Sequence, residues 1–332
     1  LAELRARQSQ WDHDYAAAAR EAVTAADYAA KSNDSESWWE MRFLQADCLC
    51  ADGELPEALE IIQELVTGKL ARQDPGREGR ALNLEAIVLQ GLGRLREANN
   101  AVKRAVQLAC GSEEDPVLWV KCQCTAIAVN AERGDLDAAW FACESLIRDM
   151  DPELPDDQLA AKAYWAIGNV AFLRDDIENG LEYHERAFLL FSPSKDLELW
   201  GKFNKGSAAM RLAAGIADAA TLRCIERAEM SAEIVGGSTE DHLLLAVTRA
   251  HWNYLAGEYE EAIGVLEPVC ELSASIASQN AAEAFYLYGR ALFRAGRRAE
   301  SLDNLDKAVE AFGRADAHDR KGTVEEFIRE NF

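Results

Sequence analysis

The stretch from Ala163 to Ala187 reads AYWAIGNVAFLRDDIENGLEYHERA. A turn at Asp175 separates two amphipathic segments, an apolar Ile177 follows within two positions, and small Gly180 opens the second segment. A second small residue, Gly168, stands seven before the turn. The same arrangement recurs in both directions: HDYAAA at His13, GELPEA at Gly53, GRLREA at Gly93, GDLDAA at Gly134, GIADAA at Gly215, GEYEEA at Gly257 and GRRAES at Gly296. Successive turns lie 39 to 42 residues apart, a regularity that marks an internal repeat. Each turn is flanked by amphipathic segments of about 15 residues, closed by polar clusters such as GSEEDP, DMDPELPDD, SPSKD and GGSTED, so each unit reads as a helical hairpin. Glycine at the turn supplies the left-handed conformation that ends the first helix. The small residues at Ala58, Ala98, Ala139, Gly180, Ala220 and Ala262, with Ala46, Ala86, Gly168, Ala208, Ala250 and Gly289, let two antiparallel helices approach closely.

Composition agrees. In 332 residues there are only 7 Pro and 21 Gly, and 49% of the chain is hydrophobic, which excludes global disorder and suits an all-α protein. The length admits two domains of roughly 150 residues or one repetitive array. With Lys+Arg 35 against Asp+Glu 58, the net charge is -23, which disfavours binding to nucleic acid or to anionic membranes. No apolar run is long enough for a membrane span and no leader opens the chain, so a cytoplasmic location is expected. The eight Cys include Cys48/Cys50 and Cys122/Cys124, whose i,i+2 spacing points the thiols about 200° apart on a helix. Core packing is the favoured reading of these thiols over a metal site or a redox role.

The segments Ala163–Ala187 and AFYLYGRALFRAGRRAESLDNLDKA, from Ala284 to Ala308, carry aromatic, Gly, small and Ala positions in the order of the tetratricopeptide repeat family, which the chain resembles over nearly its whole length. The resemblance implies a right-handed superhelical solenoid of antiparallel hairpins. It departs in period, about 40 residues where the family commonly has about 34. Long units of this kind are similar to those in the sensor regions of bacterial transcription regulators, including Xre-type, RRNPP and MalT-like proteins. The expected organisation is a solenoid of about seven and a half hairpins over residues 1–316, the first truncated, and a C-terminal helix over 317–332. Residues 1–11 read as the end of a helix that starts before Leu1, so a further domain, DNA-binding among the candidates, is expected upstream.

In the resembled family, ligands are held on the concave wall formed by the first helix of each unit, along a stripe spaced i, i+3, i+7, i+10. Here the stripe begins with Glu40, Phe43, Asp47 and Cys50. From the second to the fifth unit it carries Arg80, Lys121, Lys162, Lys202 and Lys205 and no carboxylate, against the sign of the whole chain. Asn83 and Asn169 can each donate and accept, as holding an extended peptide backbone requires. Trp165, Phe172, His251, Tyr254, Tyr286, Arg290 and Phe293 continue the stripe. The expected ligand is a peptide, or another molecule with an anionic group, and the expected role is a sensor domain. The bland reading makes the lysines solvated and the aromatics core; the alternative functions are a docking scaffold without a small ligand, or the recognition arm of a larger enzyme.

No catalytic residues, metal site or cofactor are expected. His13, His184, His242, His251 and His318 sit in no triad or metal-site pattern, and no GxxxxGK[ST] or GxGxxG loop is present. The TVEEFIREN segment is expected to form a short helix that packs Phe327 and Ile328 over the last hairpin, or that forms a homodimer interface with the C-terminal repeats.

Overall fold

The computed structural model describes residues 1–110, 115–150 and 157–332; the polar clusters read at 111–114 and 151–156 lie outside them. All regular structure among the described residues is helical. The chain separates into two compact units, Leu1–Leu190 and Phe191–Phe332. In the first unit α1 (Ala2–Trp11) precedes α2 (Tyr15–Lys31), and α3 (Ser35–Asp52) pairs with α4 (Leu55–Thr67). The short α5 (Lys69–Gln73), which the repeat pattern does not anticipate, leads into the hairpin of α6 (Pro75–Gly91) and α7 (Leu95–Cys110). Two more hairpins follow, α8 (Pro116–Glu132) with α9 (Leu136–Asp149) and α10 (Asp157–Leu173) with α11 (Ile177–Leu190). The second unit holds α12 (Leu197–Ala213) with α13 (Ala219–Val235), α14 (Thr239–Ala256) with α15 (Tyr259–Glu271), α16 (Ser278–Arg294) with α17 (Arg298–Arg314), and α18 (His318–Asn331).

The turns explain the repeat. Gly53, Gly93, Gly134, Gly215, Gly257 and Gly296 all have positive φ, and so do His13 and Asp175, at 59° and 60°. Left-handed backbone is what glycine tolerates best and Asp or His next best, so the turn positions are legible even where glycine is missing. After the turns, aspartates cap the new helices: the side chains of Asp14, Asp135 and Asp218 accept from Ala17, Ala138 and Thr221 N–H at 3.0, 3.1 and 2.8 Å. Asp34, Asp74, Asp115 and Asp196 do the same at the starts of α3, α6, α8 and α12. Part of the acid excess is therefore structural, each cap contributing about 1 kcal/mol.

Burial follows the small-residue pattern. Ala46, Ala58, Ala86, Ala98, Ala139, Ala208, Ala250 and Ala262 are fully buried, where the helices of a hairpin meet. In unit 1 the core runs through Trp39, Ile62, Leu65, Leu82, Val102 and Val129 and continues in Ile127, Leu146, Ile167 and Val170. In unit 2 it is built from Leu212 and Ile225, then Leu266 and Leu292, then Leu305 and Phe312. The helix read at TVEEFIREN starts earlier, at His318. Its Val324, Phe327 and Ile328 pack on Tyr286, Leu305 and Phe312.

Gly168 shows how close the helices come. A Cβ there would lie 2.3 Å from Cδ2 of His184 and 3.2 Å from the carbonyl oxygen of Gly180. Gly168→Ala is expected to destabilise by about 1–3 kcal/mol, because overpacking outweighs the gain in helix propensity. Gly264, inside α15, has no heavy atom within 4 Å of such a Cβ, so Gly264→Ala is expected to stabilise by about 0.5–1 kcal/mol. Urea unfolding of the two variants, read for opposite signs, checks the packing.

Candidate ligand-binding surface

In unit 1 the first helices α3, α6, α8 and α10 pack side by side in chain order. Asp47, on α3, accepts a hydrogen bond from Gln10 Nε2 at 3.0 Å. Burial pushes its carboxyl above the usual carboxylate range, and Lys121, Arg80 and Lys162 pull in the opposite direction. Cations from three successive helices thus act on one carboxyl.

They are not equivalent. Arg80 donates through both terminal nitrogens to Glu40, at 3.0 and 3.0 Å, and its guanidinium lies 4.6 Å from the Phe43 ring and 5.2 Å from that of Trp39. Trp39 and Phe43 are themselves stacked, 5.3 Å apart. A bidentate, aromatic-backed Arg–Glu pair is a fixed structural element. Lys121 and Lys162 are exposed, and their side chains have no ion-pair or hydrogen-bond partner among the described residues. They are the stripe cations of this unit whose side chains carry no ion pair among the described residues.

Other predicted contacts turn inward. Asn83 is buried and its Oδ1 has no hydrogen-bond partner among the described residues. Asn169 Oδ1 lies 3.1 Å from Nε2 of His184, within hydrogen-bonding distance. His184 is 1% exposed and packs on Phe172, with ring centres 5.0 Å apart. Trp165 is half-buried. Phe172 belongs to the core rather than to an open wall. Repeat matching missed His184 as Asn169's partner; the signal was Gly168 and Gly180, whose missing side chains make room for the imidazole and for Phe172.

In unit 2 the expected basic stripe is neutralised. Lys202 pairs with Glu198 at 2.5 Å and Lys205 with Asp241 at 3.3 Å. Asp241 also closes the capping box of α14 with Ser238. Lys202, Lys205, Ser231, Val235 and Asp241 line a cavity of about 300 Å³ of mixed charge. Further along, Tyr286 is buried against Phe327, a core position where stripe counting placed a stacking surface. Tyr254 is half-buried beside Tyr259. The His251 imidazole is pushed below its ordinary value by burial and by Arg290, with Glu283 acting the other way. Glu283 in turn receives both nitrogens of Arg320, at 2.7 and 2.5 Å.

Burial pushes Cys48, Cys124, Cys143 and Cys270 up to about 12, far from the thiolate that nucleophilic or metal chemistry uses. Among the described residues no group of three His, Cys, Asp or Glu is placed to hold a metal, and no helix is long and apolar enough to cross a membrane.

These features define a tetratricopeptide-like, all-α fold of stacked helical hairpins. Comparison with solved structures agrees. The chain is similar to the apo form of the quorum sensor NprR from B. thuringiensis, with a TM-score of 0.67 at 14% identity over 94% of this chain and 86% of that one. It is also similar to the apo form of RapI, TM-score 0.60 at 14% identity, covering 84% of this chain and 99% of RapI. The third is aspartyl phosphate phosphatase F from Bacillus subtilis, TM-score 0.56 at 12% identity over 85% and 73%. No protein-family model and no curated sequence matches the chain.

Proposed function

We propose that the chain is a peptide-sensing regulatory domain, and that its first unit holds an extended peptide against α6, α8 and α10 with an anionic group of the peptide on Lys121 and Lys162. One observation carries this reading: in a chain of net charge -23, two exposed lysines on adjacent helices both act on the Asp47 carboxyl and their side chains form no ion pair or hydrogen bond among the described residues. The half-buried Trp165 beside them offers an apolar contact. Fold similarity to a protein described as a quorum sensor supports a sensing role in a bacterial regulator acting in the cytoplasm. Coupling to an attached effector then requires the peptide to bind two arrangements of the domain with different affinity. The direct test is fluorescence polarisation of labelled heptapeptides, randomised but ending in a free carboxylate, against the wild-type chain and Lys121→Glu/Lys162→Glu. Peptides selected by the wild type are expected to lose affinity for the double variant; unchanged affinity sinks the electrostatic part.

A further inference from the structure

In unit 2, Arg290 sits on α16 with its guanidinium carbon 4.6 Å from the Tyr254 ring and 5.4 Å from that of Tyr286. Among the described residues no carboxylate pairs with it, and its buried Nε–H has no acceptor. Neighbouring arginines are treated differently: Arg320 is neutralised by Glu283 and Arg249 by Glu229. With 58 acids available against 35 bases, a half-buried guanidinium left without one stands out. Folded proteins rarely keep a buried donor unsatisfied unless water, an ion or a ligand supplies the acceptor. The two tyrosine faces attract the cation without neutralising it. With the guanidinium carbon over both rings, the in-plane N–H groups remain the part that matches the two oxygens of a carboxylate. Burial and Arg290 itself push the His251 imidazole below its ordinary value, against a competing positive charge there, and Glu283 is already engaged by Arg320.

We propose that Arg290, framed by Tyr254 and Tyr286, is the seat of a ligand carboxylate in the second unit. A carboxylate is favoured over a phosphate dianion because Arg290 offers a single charge and Glu283 stands close by, while the other unpaired cation of α16, Arg294, lies over the Tyr259 ring. The site shares no residue with Lys121 and Lys162, so it stands or falls separately from the peptide surface of unit 1.

The full chain, labelled with ¹⁵N at arginine, is titrated with N-acetyl-trialanine, its C-terminal amide, acetate and inorganic phosphate while the Arg290 Nε–H signal, assigned with Arg290→Lys, is followed. A saturable shift with the peptide acid and none with the amide is expected. Tighter binding of the peptide acid than of acetate identifies a peptide source and equal binding a free organic acid, both with the carboxylate seat intact. Absence of a shift with either carboxylate, an equal shift with the amide, or saturation by phosphate at lower concentration than by both carboxylates overturns the proposal. By calorimetry Arg290→Gln is expected to weaken the peptide acid at least tenfold with an unchanged melting temperature; should that variant unfold, the Nε–H titration of the wild type decides alone.

Discussion

Trp39→Ala is expected to destabilise the first unit by about 3–5 kcal/mol, the range for deleting a large buried aromatic. Trp39 is 1% exposed, stacks on Phe43 and lies in the same core as Ile62, Leu65 and Leu82. Its ring also faces the guanidinium groups of Arg77, at 5.9 Å, and Arg80, at 5.2 Å. The truncation therefore opens a cavity and removes the platform under the Arg80–Glu40 pair, which adds to the lost burial. Urea unfolding followed by circular dichroism measures it. A change below about 1 kcal/mol would mean that the hairpins close over the gap, and that this core is looser than its burial implies.

The second large effect falls on binding. Lys121→Glu/Lys162→Glu is expected to weaken an anionic peptide by about 2–3 kcal/mol, on the order of 30–150-fold. Each reversal loses an exposed attraction of up to about 1 kcal/mol and gains a repulsion of similar size. Both lysines are exposed, so the folded state is expected to be little changed, and the binding loss is expected to shrink as salt is raised and the charges are screened. Reversal of Lys202, already held by Glu198, is expected to change binding much less. Equal losses from the paired and the unpaired lysines would show that net charge, and not the wall of α8 and α10, governs affinity.

The hairpins were legible because a left-handed turn is demanding: few residues adopt positive φ, and the chain places Gly, Asp or His at every hairpin turn. Close packing was legible for a similar reason, since Gly168 and Gly289 leave no room for a side chain. The division at residue 190 was not legible, because the repeat continues across it unchanged. The charge state of the stripe was harder still. Arg80 pairs with Glu40, 40 residues away, Lys205 with Asp241, 36 away, and Arg320 with Glu283, 37 away. These separations are close to the repeat period itself. A cation at one stripe position therefore meets the corresponding part of a neighbouring hairpin, and reading the stripe helix by helix hides that neighbour. Glu40 stood one repeat before Arg80 in the stripe, and Asp47 beside it, so the acid that neutralises the first rung was present in the pattern. Arg320 lies on α18, beyond the last hairpin turn, so only its spacing from Glu283, and no stripe position, pointed to that pair.

The peptide surface of unit 1 is tested most directly by footprinting the full chain with an acetylating reagent, with and without a peptide selected from the carboxylate-terminated pool, and reading each lysine by mass spectrometry. Lys121 and Lys162 are expected to be protected by the peptide, while exposed Lys31 and Lys103, which lie on second helices, react at unchanged rates. Unchanged acetylation of Lys121 and Lys162 under saturating peptide, or equal protection of all four, would contradict it.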